Sequence, residues 1–121
     1  MHHVGFRDDV EHVYGAADVV AVPSKHPDPL PNAALEAAAA GCCVVAADHG
    51  GLPEILDDGR TGLLVTPGDP VALASAVGAL AADPARRAAL GAAAAADVRA
   101  RFGRDRLLQD VQALYDEVLG P

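Results

Sequence analysis

Two carboxylates, Asp28 and Glu36, lie eight residues apart in a stretch that otherwise carries no charge. Glu36 is the only ionisable carboxylate between Asp28 and Asp48, and alanines surround it in the run PLPNAALEAAAAGCCVVAA. Because residues 31–40 show no polar face, they predict a helix that is packed all round. Burying an ionised carboxylate in such a helix costs free energy unless hydrogen-bond donors reach it. Two hydroxyls of a ligand can supply these donors. The pair therefore predicts a ligand site.

The elements that must position these side chains alternate between strand and helix. Asp18–Pro23 is a continuous apolar run, which is typical of a strand covered on both faces. A helix from Pro31 to Gly41 and a second buried strand at Val44–Ala47 follow. The other predicted elements are a strand at Val4–Phe6, a helix from Asp8 or Asp9 to about Ala17, a short helix from Pro53 to about Leu56, a strand at Leu63–Val65, and helices at 70–82, 84–101 and 104–119.

This order predicts an α/β fold with a parallel sheet and a C-terminal helical tail. A chain of 121 residues is at most one domain. We divide it into a strand–helix half that carries the ligand site, residues 1–67, and the helical tail, residues 68–121.

Composition narrows the class of partner and the compartment. Nine basic and seventeen acidic residues give a net charge of −8, which argues against nucleic acid or an anionic membrane as a partner. No apolar run reaches the length of a membrane span. Cys42 and Cys43 are adjacent at the start of an apolar strand, so we expect reduced, buried thiols and a cytoplasmic protein.

Four linked blocks between Pro23 and Pro70 carry a family resemblance. In order they are an acidic pair spaced like E-x7-E, the strand GCCVVA, the turn GGLPE and the tail TGLLVTP. The segment resembles the donor-site signature of the family-4 retaining glycosyltransferases, which have the GT-B fold. The resemblance implies a partial Rossmann-like parallel sheet, the second half of a GT-B C-terminal domain. It also implies sugar transfer from a nucleotide donor to an acceptor hydroxyl with retained configuration and without a metal.

The resemblance assigns nucleotide and sugar contacts to the first block. Glu36 takes the position that accepts hydrogen bonds from the ribose hydroxyls, and Asp28 takes the position beside the donor sugar. Asp28 is the one candidate catalytic residue, although it is one methylene shorter than the usual glutamate. Leu30 and Asn32 take positions whose backbone amides face the sugar and phosphates, while Pro31 has no N–H to offer.

The resemblance also assigns Gly50 and Gly51 to a tight turn beside the ligand, and Glu54 to the acid that follows it. Each candidate has a plainer interpretation. Glu36 can be the solvated residue of a surface helix, Asp28 a turn former, and Glu54 a carboxylate favoured in the first turn of a helix. Lys25 is interpreted as a solvated loop lysine, and a phosphate contact is the alternative. His26 and His49 are interpreted as polar loop residues, and a catalytic base is the alternative.

Two parts that the resemblance implies have no counterpart in this sequence. One is the basic Arg/Lys pair that holds the diphosphate, and the other is the N-terminal acceptor domain. Between Pro23 and Pro67 two cations, Lys25 and Arg60, face six carboxylates, a net charge of −4. We therefore expect an inactive fragment whose partners are a nucleotide sugar (UDP-, GDP- or ADP-linked) and the missing N-terminal acceptor domain. The alternatives are a non-catalytic remnant, a nucleotide-binding or assembly fragment, and a GT-B phosphorylase or epimerase.

The Rossmann strand order 3-2-1-4-5-6 makes a further prediction about the sheet. On that order Val4–Phe6 is strand 3, and the three later strands are strands 4, 5 and 6. We therefore expect a core sheet of three parallel strands and a first strand that is detached or re-docked. Val19–Val22 becomes an exposed edge, which invites self-association. For the full-length protein, a peripheral position at the inner membrane face is an alternative to a purely cytoplasmic one.

Overall fold

The computed structural model describes residues 2–120. This part of the chain contains six helices and three strands, which alternate up to the third strand and are followed by three consecutive helices. Their bounds are α1 Val10–Ala16, β1 Val19–Val22, α2 Asn32–Ala39, β2 Cys43–Ala47, α3 Leu52–Ile55, β3 Leu63–Val65, α4 Pro70–Ala81, α5 Pro84–Phe102 and α6 Arg104–Leu119. The predicted strand at Leu63–Val65 is confirmed at both ends, and the three long C-terminal helices are confirmed to within one residue.

The sheet has three parallel strands in the order β1-β2-β3, which confirms the predicted core sheet. Val20 lies opposite Val44, and Ala46 lies opposite Leu64. All five residues of β2 are buried, because strands flank it and helices cover both of its faces. β1 forms one edge of this sheet. Alternate residues of a strand point to opposite faces, so β2 contributes to two separate packing layers.

One layer contains α2 and α3 and is the larger core. Val44 and Ala46 of β2 pack there with Leu52, Ile55 and Leu56, all at most 1% exposed. The other layer contains α4 and α5, where Cys43 and Val45 pack with Leu80 and Leu90. Cys42 and Cys43 are free and buried, and this burial raises the pKa of both thiols. The predicted burial of both thiols is confirmed, and within residues 2–120 neither thiol forms a disulfide.

Helix α5 is joined to the α2–α3 layer at two points. A Cβ on Gly91 would overlap the carbonyl oxygen of Gly41, so the helix backbone approaches the turn after α2 as closely as glycine allows. Ten residues later, Arg101 donates from Nη1 to the carbonyl of Glu54 at 2.6 Å and from Nη2 to that of Ile55 at 3.0 Å. Arg101 thereby satisfies carbonyls that the short helix α3 leaves without a partner at its end.

The two ends of the described chain are exposed. Val4–Phe6 forms no strand, so that prediction is wrong; Phe6 is 95% exposed. An extended segment with no strand beside it cannot satisfy its backbone groups within a sheet, and the segment is detached as expected. Helix α6 has no buried residue. Within residues 2–120, no helix combines the length and apolarity needed to cross a membrane.

Candidate functional site

The loops that follow β1 and β2 meet at the carboxyl edge of the sheet. The N–H of Gly51 donates to the carbonyl oxygen of Asp28 at 2.6 Å. A Cβ on Gly50 would lie 2.6 Å from the same oxygen, and Gly50 also has a φ of +59°. The structure therefore brings together two of the sequence blocks, the first acid of the spaced pair and the double-glycine turn.

Gly51 leaves no space for a side chain. A Cβ there would overlap the carbonyl group of Pro29, with its carbonyl carbon at 2.7 Å. The φ of Gly51 is −81°, so the constraint is the close approach of two loops and not the backbone conformation. Gly50 and Gly51 therefore set the position of the Asp28 loop relative to β2.

The carboxylate of Asp28 has a local partner. Its Oδ1 accepts a hydrogen bond from the N–H of Leu30 at 3.0 Å, which is the geometry of an Asx-turn. The resemblance implies that the Leu30 amide faces the ligand, but here this amide donates its hydrogen bond within the loop, to Asp28. Asp28 shapes the turn with one oxygen. Within residues 2–120 its second oxygen receives no hydrogen bond from the protein.

Helix α2 begins at Asn32, directly after this loop. Pro31 precedes it and contributes no N–H. The first amides of a helix have no acceptor within the helix, and the helix dipole makes that end favourable for an anion. Asn32 thus lies where its backbone amide can serve a ligand at the carboxyl edge of the sheet.

Glu36 lies on an exposed face of α2, which corrects the prediction of a helix packed all round. Three alanines of α2 are buried, Ala34, Ala37 and Ala38. Asn32, Ala33 and Glu36 are exposed. An alanine side chain gains little from burial, so an alanine-rich sequence does not show which face meets solvent. The plainer interpretation of Glu36, a residue on the surface of a helix, describes its position correctly.

A tyrosine that the sequence did not point to contacts Glu36. The hydroxyl of Tyr14, in α1, donates to Oε2 of Glu36 at 3.2 Å. The pKa of Tyr14 is raised, first by burial and then by the negative charge and hydrogen bond of Glu36. The two residues lie 22 positions apart on different helices, so no local spacing could have indicated this contact.

The side chain of Glu54 lies at a different cleft. It is exposed on α3 and lines a cleft of about 310 Å³ toward α5, together with Asp57, Arg60 and Asp97. Within residues 2–120, no hydrogen bond links its side chain to Asp28 or Glu36. The backbone N–H of Glu54 donates to the carbonyl of Gly51 at 3.1 Å, so Glu54 follows the double-glycine turn directly.

A second cleft, of about 390 Å³, opens where all three strands end, on the side of α4. Ligands of parallel α/β sheets bind at the carboxyl ends of the strands, and pockets of a few hundred Å³ accept small ligands. Lys25 places a cation at this cleft. The residues that line it are Pro23, Lys25, Ala47, Val65, Thr66, Gly68, Asp69, Pro70 and Leu73.

His49 follows β2, directly before the double-glycine turn. Its N–H donates to the carbonyl of Ala47 at 2.9 Å. Its Nε2 is buried and has no hydrogen-bond partner among the residues that the structure describes. The ring of His49 is therefore not presented to solvent at Nε2.

The sequence matches a known family over most of its length. Residues 1–83 match the profile of Glycosyl transferases group 1. The chain belongs to this family. It is 39% identical over 112 residues to the D-inositol 3-phosphate glycosyltransferase of Corynebacterium kroppenstedtii, a match that covers 93% of this chain and 24% of that protein. The chain thus spans about a quarter of the length of that relative.

Solved structures agree on the fold. HepE from Anabaena, solved with UDP, is 31% identical, with a TM-score of 0.91 over 95% of this chain and 32% of HepE. The same protein was also solved with UDP-glucose. The C-terminal domain of a group 1 glycosyl transferase, LpcC from Francisella tularensis, is 30% identical, with a TM-score of 0.67 over 83% of this chain and 50% of that domain. The chain therefore has the fold of part of a GT-B C-terminal domain, as the resemblance implied.

Proposed function

We propose that this chain forms the nucleotide-sugar-binding half of the donor domain of a retaining glycosyltransferase. The observation that carries the proposal is the contact between two motif blocks, the Asp28 loop and the turn at Gly50 and Gly51. Both blocks lie at the carboxyl edge of a parallel sheet, where ligands of such sheets bind. In the proposed reaction the sugar passes to an acceptor hydroxyl, with retained configuration and without a metal.

Glu36 is proposed to accept hydrogen bonds from the two ribose hydroxyls of the nucleotide. A vicinal diol offers two O–H donors, and a carboxylate has two acceptor oxygens. Glu36 is exposed, so the carboxylate is accessible to a ligand before any movement. The solved complexes of HepE with UDP and UDP-glucose support a nucleotide sugar as the donor.

The diphosphate is proposed to lie at the N-terminus of α2, beside Asn32. The helix end favours an anion, but the net charge of −4 between Pro23 and Pro67 opposes one. Cations from outside this chain are therefore part of the proposal, as is an acceptor site. By itself the chain is expected to bind nucleotides at millimolar strength or weaker and to transfer no sugar. Transfer of radiolabelled sugar from UDP-glucose by the isolated chain would contradict this division of roles.

Replacing Glu36 by Gln tests the ribose contact. Removing a charged hydrogen-bond acceptor should weaken the binding of UDP by about 1.5–3 kcal/mol, which is roughly tenfold or more in Kd. UDP affinity is measured by NMR titration of the 121-residue chain and by calorimetry of a protein that joins this chain to an N-terminal acceptor domain. The matched control is Glu117→Gln, an exposed carboxylate on α6, which should leave the affinity unchanged. Equal UDP affinity in Glu36→Gln and wild type would remove Glu36 from the ribose site.

A non-catalytic fragment that binds a nucleotide without turnover is the second candidate. The observation that favours it is the exposed β1 edge and the uncovered α6, which give the chain surfaces for assembly. The two candidates differ in their expected activity once this chain is joined to an N-terminal acceptor domain. Asp28→Asn should lower sugar transfer in the joined protein while UDP binding is kept. A protein that binds UDP and transfers no sugar with or without this change would favour the second candidate.

A further inference from the structure

The hydroxyl of Tyr14 lies within hydrogen-bond distance of the carboxylate to which the proposed function assigns the ribose. The bond is 3.2 Å long and runs from Tyr14 to Oε2 of Glu36. It joins α1 to α2, so it is a tertiary contact and not a neighbour effect along one helix. Oε1 of Glu36 stays open to one ribose hydroxyl. Because each carboxylate oxygen has two lone pairs, Oε2 can accept the second ribose hydroxyl beside the bond from Tyr14.

Tyr14 is itself held in place. Its side chain packs against the larger core cluster. Its carbonyl oxygen accepts the Sγ–H of Cys42 at 3.0 Å and the N–H of Ala17 at 3.2 Å. Helix α1 has no buried residue, so Tyr14 is the residue of α1 that connects this helix to the core cluster. The hydroxyl therefore comes from a fixed position.

A glutamate on an exposed helix face is free to rotate about three side-chain bonds, and fixing it costs conformational entropy. A hydrogen bond from a held donor restricts these rotations before the ligand arrives. Preorganisation of this kind improves affinity because less freedom is lost on binding. Tyr14 can thus strengthen nucleotide binding without touching the nucleotide.

We infer that Tyr14 is a positioning residue for Glu36, which it orients toward the ribose of the donor nucleotide by donating to Oε2. This inference rests on the proposed function. The plainer alternative is that the pair only fastens α1 to α2. In that case the bond contributes to folding and has no effect on nucleotide affinity.

A double-mutant cycle separates these two roles of the pair. UDP affinity is measured by NMR titration for wild type, Tyr14→Phe, Glu36→Gln and the double variant, and unfolding by denaturant is measured for the same four proteins. Tyr14→Phe removes one hydroxyl and should lower UDP affinity by about three- to tenfold in the wild-type background. It should have no measurable effect in the Glu36→Gln background. Tyr115→Phe on exposed α6 is the control, and it should change neither quantity.

Three outcomes overturn the inference. Unchanged UDP affinity in Tyr14→Phe, with a coupling seen only in unfolding, makes the pair a structural fastening. Equal weakening by Tyr14→Phe in both backgrounds shows that Tyr14 does not act through Glu36. If Glu36→Gln itself leaves UDP affinity unchanged, the ribose assignment fails first, and the inference fails with it.

A second measurement covers the case in which Tyr14→Phe does not fold. In a Tyr115→Phe background, the ¹³Cζ resonance of Tyr14 reports its hydrogen bond directly. Glu36→Gln should move this resonance, and titration with UDP should move it in the protein that keeps Glu36. A resonance that stays unchanged while other resonances of the protein report UDP binding overturns the inference.

Discussion

The middle of the molecule and its two ends differ in how much of their apolar surface they cover. Every residue of β2 is buried, and α3 contributes Leu52 and Ile55 at 1% exposure. At the ends, Phe6 is 95% exposed and α6 buries none of its residues, although Leu107, Leu108, Leu114 and Val118 are all more than half exposed. The motif loops belong to the middle. The loops of the proposed ligand site are therefore attached to the region whose apolar side chains are buried within this chain.

The largest expected effect compares one leucine from each region. Leu52→Ala should lower the free energy of unfolding by about 3 kcal/mol, because it leaves a cavity in the larger core. Leu114→Ala, at a side chain that is 59% exposed, should change it by less than about 0.5 kcal/mol. Urea denaturation followed by circular dichroism measures both. A loss of about 2 kcal/mol for Leu114→Ala would show that α6 packs in solution and would break the comparison.

A smaller effect is expected where the two motif loops meet. Gly51→Ala forces a Cβ against the carbonyl of Pro29 and should cost about 2–3 kcal/mol as an overpacked contact. Gly78→Ala in α4 is the control, since a Cβ there meets nothing within 4 Å and alanine favours a helix by about 0.5–1 kcal/mol. Thermal unfolding of the two variants gives the ranking. A Gly51→Ala protein as stable as wild type would mean that the loops do not meet as described.

The smallest expected effect concerns ion pairs in the two regions. The Asp97 side chain is 16% exposed, and its carboxylate accepts a hydrogen bond from Arg101 at 2.6 Å. This hydrogen bond is the main reason why the pKa of Asp97 is lowered, although burial acts in the opposite direction. Asp97→Asn should cost about 1–2 kcal/mol. Asp110→Asn breaks a pair with Arg106 whose side chains are more than half exposed, and should cost about 0.5 kcal/mol or less.

The pH dependence follows from the direction of the Asp97 shift. A carboxyl whose folded pKa is lowered contributes its full stability above the unfolded pKa of about 4, and loses it as pH falls through the folded pKa. The stability gap between wild type and Asp97→Asn should thus be full at about pH 6 and shrink from about pH 4 downward. Urea titrations at about pH 6, 4 and 3 check it. A gap that stays constant over this range would show that the Asp97 charge does not stabilise the fold.

Sequence reasoning succeeds where a local signal determines the structure. The apolar runs predict the three strands, and the helices predicted at 70–82 and 84–101 correspond to α4 and α5. The side chains of Asp69 and Asp83 cap these helices by accepting hydrogen bonds from the N–H groups of Ala72 and Arg86. The Asx-turn at Asp28 agrees with the plainer interpretation of that residue as a turn former. No local pattern predicts the contact between the Asp28 loop and Gly51. Only the linked motif blocks indicate that these two segments share a site.

Sequence reasoning fails where alanine replaces a clear amphipathic pattern and where partners are distant. The face of α2 could not be assigned, because a small side chain is tolerated both inside and outside. The hydrogen bonds from Tyr14 to Glu36 and from Arg101 to the end of α3 span 22 and more than 40 residues. Local composition predicts a strand at Val4–Phe6, but strand formation depends on a neighbour that the described chain does not provide.

The two attachment points of α5 have a mechanical consequence. Gly91 contacts the turn before β2, and Arg101 binds the carbonyls of the helix after β2. Ten helical residues span about 15 Å, so α5 bridges both ends of the central strand. A pulling force applied at the C-terminus through α6 would reach the Arg101 hydrogen bonds first. In a force-extension experiment, unravelling of α6 should therefore come as an early, low-force step, and the rupture of the sheet as a later one.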